Sequence, residues 1–131
     1  MLTVLTTYKN ACLKGNAPDL SEASKLKVVL VTADHVHDGA TQNFLSDIQS
    51  ANRVMTSDAF TGIVTGANLD AADGVALNDP GNGKTSSQAY LYHDTGTEST
   101  SRLVAHDDSV VLTSDGTNDV LNFDSQGIFD L

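Results

Sequence analysis

The sequence predicts a mostly-β domain: a small antiparallel β-sandwich or barrel with one short N-terminal helix. Three observations lead there. The C-terminal third is built of short apolar and alternating runs: Ala89-Tyr-Leu-Tyr-His-Asp-Thr-Gly96, Ser101-Arg-Leu-Val-Ala-His-Asp107, Asp119-Val-Leu-Asn-Phe-Asp124 and Gly127-Ile-Phe-Asp-Leu131. Asp, Gly, Asn, Ser and Thr separate them, the pattern of hairpins and meanders rather than helices. Lys25-Leu-Lys-Val-Val-Leu-Val-Thr32 starts with alternation and turns continuously apolar, as a central strand covered on both faces does. Finally, Asn78-Asp-Pro-Gly-Asn-Gly83 and Ser114-Asp-Gly-Thr-Asn118 supply turn chemistry between runs.

Taken in order, residues 3–14 are expected to form the helix, capped by Thr3 and ended by Gly15-Asn16-Ala17-Pro18. Its apolar positions are Val4, Leu5, Tyr8 and Cys12, with Leu13 flanking. The strand over 25–32 comes next, then a loop from Ala33 to Gly39. One or two helical turns over Thr41–Gln49 would point Phe44, Leu45 and Ile48 inward. Strands are expected at Phe60–Thr65, Val75–Leu77 and Val110–Thr113, in addition to the four C-terminal runs. No linker, internal repeat or low-complexity tract divides the chain, so 1–131 reads as one domain.

Composition narrows the function. With no Trp, four Phe and three Tyr, the core leans on Val, Leu, Ile and Ala. The net charge of −10 is uneven. Residues 1–27 carry Lys9, Lys14, Lys25 and Lys27 against Asp19 and Glu22, whereas the remainder sets Arg53, Lys84 and Arg102 against fifteen acids. Such an acidic body repels phosphate backbones, so no nucleic-acid partner is expected. Cys12 stands alone between Ala11 and Leu13, which excludes an intramolecular disulfide and suggests a buried packing role. No run has signal-peptide form or membrane-spanning length, and a soluble product made in the cytoplasm is expected.

Four patterns invite a chemical reading. Pro80-Gly-Asn-Gly-Lys-Thr-Ser86 resembles part of a phosphate-binding loop, but Asn78 stands where the first Gly belongs, and a strand follows where a helix is required. A surface hairpin loop explains it better. His35-Val-His37 presents two imidazoles two residues apart, flanked by Asp34 and Asp38, with His93 and His106 near later strand ends. A metal would need three or four of these to converge, and solvated or hydrogen-bonded loop histidines are the expectation. Asp70-Ala-Ala-Asp-Gly74, Asp107-Asp108 and Asp115-Gly-Thr-Asn-Asp119 could offer oxygens to Ca²⁺, yet none has EF-hand spacing and Asp is the expected turn residue. No Gly-x-Ser-x-Gly elbow appears. Neither an enzyme nor a cofactor is expected.

A family resemblance adds to this reading. Leu26–Thr32, His37–Ile48, Ala89–Gly96 with its Tyr-x-Asp-Thr-Gly ending, Arg102–Ala105 and the closing Gly127–Leu131 resemble, in order and spacing, a small virion structural protein of tailed bacteriophages. The resemblance departs in 60–85, where relatives tend to carry a Gly-Tyr-rich turn and this chain has Thr61-Gly-Ile-Val-Thr-Gly66. It implies a non-enzymatic capsid decoration (cement) subunit on the exterior of the virion. Such a subunit binds the major capsid protein across the assembled lattice and self-associates, as a trimer by analogy. The docking residues it suggests combine apolar anchors with rare positive charge near the chain ends: Leu2, Val4, Leu5, Tyr8, Lys9, Lys14, Ile128, Phe129 and Leu131. A head–tail connector or tail subunit is the alternative reading. A metal-dependent hydrolase using His35, His37 and an Asp is the enzyme-class one.

Overall fold

The structure is a computed structural model that describes residues 3–62, 64–65, 68–70, 74–117, 119–121 and 129–130. At 23, 64–65, 68–70, 121 and 129–130 it describes the backbone only.

The chain opens with a two-residue strand, β1 (Thr3–Val4), and a short helix, α1 (Thr6–Leu13). Eight further strands follow in the described segments: β2 (Leu26–Val31), β3 (Arg53–Ser57), β4 (Val64–Thr65), β5 (Asn68–Asp70), β6 (Val75–Asn78), β7 (Gln88–His93), β8 (Arg102–Asp107) and β9 (Val120–Leu121). A last one, β10 (Phe129–Asp130), closes the series. Seven strands make one antiparallel sheet in the order β1-β8-β7-β2-β3-β6-β9, and β10-β5-β4 make a smaller one. The mostly-β expectation with one N-terminal helix holds. Among the described strands the main sheet is open, with β1 and β9 at its edges.

The sheet grows outward from β2, which pairs with β7 along all six of its residues and with β3 on its other side. Leu26, Val29, Leu30 and Val31 are fully buried there, so the continuous apolar run is covered on both faces as expected. β7 is buried at every position, Gln88 and His93 included. With Leu103, Val104 and Ala105 of β8 it completes the core.

The N-terminal helix starts later than the sequence suggests. Thr3 does not cap it but pairs with His106 at the sheet edge, and the Leu5 N–H is held by the Val104 carbonyl at 2.9 Å in extended conformation. Helix geometry begins only at Thr6. At about 100° per residue that start turns Thr7, Tyr8 and Ala11 inward and Cys12 and Leu13 outward. Cys12 is therefore exposed rather than packed, and Leu13 is 87 % exposed. The helix ends as expected at Gly15, whose φ of 73° needs no Cβ. Its N–H reaches the Cys12 carbonyl (3.1 Å) while Asn16 N–H reaches that of Ala11 (2.8 Å), the Schellman pattern.

Other elements shift for local reasons. Over 41–49 there is only a 3₁₀ turn at Leu45–Asp47, because the Asp47 carboxylate takes the Asn43 and Phe44 N–H groups and holds that backbone extended. Leu45 and Ile48 point inward, but Phe44 lies half-buried beneath the Arg102 guanidinium, 4.8 Å from Cζ to ring centroid. The sequence reading did not name β3. Of the strand expected at 60–65, β4 forms at 64–65 and residue 63 lies outside the described residues; Phe60 is buried from a loop, its N–H held by the Leu26 carbonyl at 2.9 Å. Val110–Thr113 is not a strand. Thr113 makes an isolated bridge to Thr85, and Leu112 N–H bonds Ser86 Oγ at 2.9 Å. The expected strand over 119–124 is β9 at Val120–Leu121, with 122–124 lying outside the described residues.

The Gly-rich stretch 79–87 is not a hairpin loop, because β6 and β7 are separated by β2 and β3 in the sheet. It crosses over instead, pinned by Asp79, whose carboxylate accepts from the Gly81, Asp115 and Gly116 N–H groups and from the Ser114 hydroxyl. Those donors hold the Asp79 carboxyl down at about 2. The 114–117 turn is thus a brace for this crossover rather than a simple hairpin connection.

Candidate functional site

The most concentrated chemistry sits on one face of the sheet around Tyr90. Tyr90 on β7 is opposite His106 on β8, which places both side chains on the same face. The connection from β2 to β3, residues 32–52, folds over that face and delivers His35, His37 and Gln42. The Tyr90 hydroxyl lies 3.1 Å from His35 Nε2 and 2.7 Å from His37 Nδ1, and 3.3 Å from Gln42 Oε1. His106 Nε2 meets Gln88 Oε1 at 2.8 Å. The Gln88 amide donates to the Thr32 and His35 carbonyls, at 2.8 Å each, fixing the start of the overlying loop. His37 stacks on His106 with ring centroids 3.6 Å apart and planes 3° from parallel. Gly39 closes the space to α1: a Cβ there would stand 3.3 Å from both His37 Nε2 and Leu5 Cδ2.

Tyr90, His35 and His106 are buried, whereas His37 is exposed and forms the edge of the cluster. Burial dominates the electrostatics. It lowers the pKa of His35 and His37, and takes His106 down to about 4, with His37 nearby pushing the same way. Asp38, Asp107 and Asp108 oppose the shift without cancelling it. The Tyr90 phenol is raised by burial, so it remains protonated and has one hydrogen to donate. With neutral rings at pH 7, one of the two imidazole nitrogens accepts that hydrogen or Gln42 does, and the other nitrogen donates to the oxygen.

Three of the four histidines named from the sequence thus converge, and the fourth does not. His93 points to the opposite face of β7, near Glu22. The convergence has the form of a hydrogen-bonded polar core. Two inward nitrogens are spent on one hydroxyl, a third on Gln88, and two rings meet face to face, which aims their in-plane lone pairs apart. Among the described residues no group of three or more His, Cys, Asp or Glu side chains is arranged to hold a metal ion. Asp38, the flanking carboxylate, accepts from Ala40 N–H at 2.9 Å as a turn residue. Asp107 and Asp115 likewise bond Ser109 and Thr117 N–H, so these two Asp-rich loops are built as turns, while 71–73 of the third lie outside the described residues.

Replacing Tyr90 with Phe is expected to cost about 1–3 kcal/mol, because His35 Nε2 is left buried without its partner while the ring volume is kept. Urea denaturation at pH 7.5 checks this; an unchanged midpoint would show that the hydroxyl contributes nothing.

The suggested docking residues fall into three groups. Leu5 and Tyr8 are buried in this chain's own core and Val4 packs against it. Lys9 on α1 and Lys14 at its C-cap are exposed. Leu2, Ile128 and Leu131 lie outside the described residues, and Phe129 is described only as backbone paired with Leu69. The sequence reading missed Tyr90, Gln88 and Gln42 as partners of the histidines; period-two alternation places Tyr90 and Gln88 on one face but cannot say which loop covers it. No helix among the described residues is long and apolar enough to cross a membrane. No protein-family model, curated protein or solved structure matches this chain.

Proposed function

We propose that this chain is a non-enzymatic structural protein of a tailed-phage virion. In this reading it is a capsid decoration (cement) subunit that binds the major capsid protein on the outer surface of the assembled lattice and stabilises it. The observation that carries the reading is the ordered set of family-like segments. Leu26–Thr32, Ala89–Gly96 and Arg102–Ala105 supply β2, β7 and β8, three adjacent strands at the centre of one sheet. Segments that follow one another in a sheet, rather than scattering over the surface, support a resemblance of cores.

A protein that binds only the assembled lattice stabilises that state by mass action. An acidic exterior keeps a high-copy subunit soluble.

Quantitative mass spectrometry of purified particles tests the proposal. A ratio to the coat protein near one, or a simple fraction of it, is expected. A dozen copies or fewer would move the protein to the portal or tail, and absence from particles would return the question to enzymes.

A further inference from the structure

Asn82 is the chain's only asparagine followed by glycine. Such a pair is chemically labile. Glycine has no side chain to shield its own backbone nitrogen, which is placed to close a five-membered ring on the asparagine side-chain carbonyl. Asn82 and Gly83 are both exposed, so exclusion of water does not protect them. Their hydrogen bonds do.

Segment 110–116 runs beside 81–86 and ties it down. The Gly83 N–H donates to the Ser114 carbonyl at 3.0 Å, and the Asn82 N–H donates to the Ser114 hydroxyl oxygen at 2.9 Å. Ser114 N–H returns a bond to the Lys84 carbonyl at 2.8 Å. Ser86 N–H meets the Leu112 carbonyl at 2.8 Å, and a Cβ on Gly81 would stand 3.4 Å from Gly116 Cα. The Asn82 side chain is held at both ends. Its Nδ2 donates to the Val54 carbonyl of β3 at 3.2 Å, and its Oδ1 accepts from the Lys84 N–H at 3.0 Å.

These bonds act on the chemistry in opposite directions. The Lys84 bond is local, an Asx turn within 82–84, and it draws electron density from the side-chain carbonyl, which favours attack there. The Ser114 and Val54 bonds are long-range and oppose it. Ring closure begins when the Gly83 amide loses its hydrogen to base, and that hydrogen is engaged by Ser114. The side-chain nitrogen departs only after giving up Val54. The crossover needs both residues nonetheless: Gly83 stands at φ 74°, and an aspartate at 82 would have no hydrogen to give the Val54 carbonyl.

We propose that Asn82–Gly83 is a modification site, a deamidation site kept silent by segment 110–116 and released only when that segment lifts. In the lifted chain the deprotonated Gly83 nitrogen bonds to Asn82 Cγ and the Cγ–Nδ2 bond breaks. The departing nitrogen leaves as ammonia, taking back from water the proton that Gly83 gave up. Water then opens the cyclic imide at either carbonyl, giving aspartate or isoaspartate, with no change of oxidation state. Neither product restores the original bonding. Isoaspartate inserts a methylene into the backbone between the two N–H groups that Ser114 receives. Aspartate sets an oxygen against the Val54 carbonyl where Nδ2 had donated. The reaction therefore makes a reversible opening of the crossover permanent. The site does not depend on the chain being a virion protein, and its failure would leave that reading standing.

The test is to incubate the full chain at pH 8, native and in denaturing guanidinium, and to follow the tryptic peptide ending at Lys84 by mass spectrometry. Hydrogen exchange of the Gly83 amide is read by NMR on the same native sample. Deamidation at Asn82 is expected to run at least about tenfold slower in the native chain than in the denatured one, although the residue is exposed in both. Ser114→Ala removes the hydroxyl that holds Asn82 and Asp79, and should speed Gly83 exchange and Asn82 deamidation by the same factor. Equal rates in native and denatured chains would overturn the proposal, as would faster exchange in Ser114→Ala without faster deamidation. If Ser114→Ala fails to fold, the wild-type chain in sub-denaturing urea decides: the two rates should rise in parallel, and divergence refutes the gating by segment 110–116.

Discussion

Replacing Leu30 with Ala is expected to destabilise the protein by about 2–5 kcal/mol, the range for deleting a fully buried leucine side chain and leaving a cavity. Leu30 is completely buried on β2, between Ala89 of β7 and Met55 of β3. Its neighbours are held in paired strands on both sides, so the site has little freedom to collapse, and the upper half of the range is expected. Leu13→Ala is the matching control. Leu13 is 87 % exposed on α1, and the same change there should stay within about 0.5 kcal/mol. Urea unfolding followed by circular dichroism reads both. A Leu30→Ala midpoint shift of roughly one to two molar with unchanged slope fits the expectation. Equal effects at the two positions would mean that β2 is not the centre of the core.

Acid should weaken the protein in two separate windows. His35, His37 and His106 all have folded pKa values below the ordinary 6.5, His106 at about 4, because burial disfavours their charged forms. The unfolded chain takes up these protons near pH 6.5, whereas the folded chain resists until lower pH. Stability is therefore fully present above about 6.5 and is lost as pH falls toward about 4. His106 alone accounts for about 3 kcal/mol across that window, at 1.36 kcal/mol per pKa unit. His93 on the opposite face, also lowered by burial, adds in the same direction. A second window opens below the ordinary carboxylate range. There Asp79, Asp94 and Glu98, held low chiefly by hydrogen bonds from Ser114, Lys27 and Arg53, lose their partners as they protonate. Urea midpoints at pH 7.5, 6, 5 and 4 separate the windows. His106→Gln should flatten the upper one markedly and leave the lower one in place. A wild-type protein of constant stability from pH 7 to 4.5 would refute the account. For a subunit proposed to hold a lattice together, the histidine face is also where acid would first loosen the fold.

Strands formed where side-chain alternation and local turn chemistry agreed. β2, β7 and β8 needed no tertiary information, because each is a run whose apolar residues demand cover and whose flanking Asp, Gly and Thr stop it. The Gly15 helix end is equally local, since a residue at positive φ must come after the last turn. Where the two signals competed, pairing decided. Thr3 has the side chain of a helix cap, but β8 offers its neighbour a carbonyl and the edge pairing wins. Arg53–Ser57 has little apolar alternation and becomes a strand because β2 and β6 satisfy its backbone on both sides.

The candidate sites divide in the same way. His35-Val-His37 could be suspected from spacing. That Tyr90 joins the two imidazoles depends on which loop covers which face. By itself the sequence determined a mostly-β acidic domain, its central strands and the turn role of its aspartates, because those follow from interactions among near neighbours in the chain. Only the tertiary structure decided the strand order and the polar core around Tyr90. These join residues distant in sequence, whose contacts arise when burial of the whole sheet selects one arrangement.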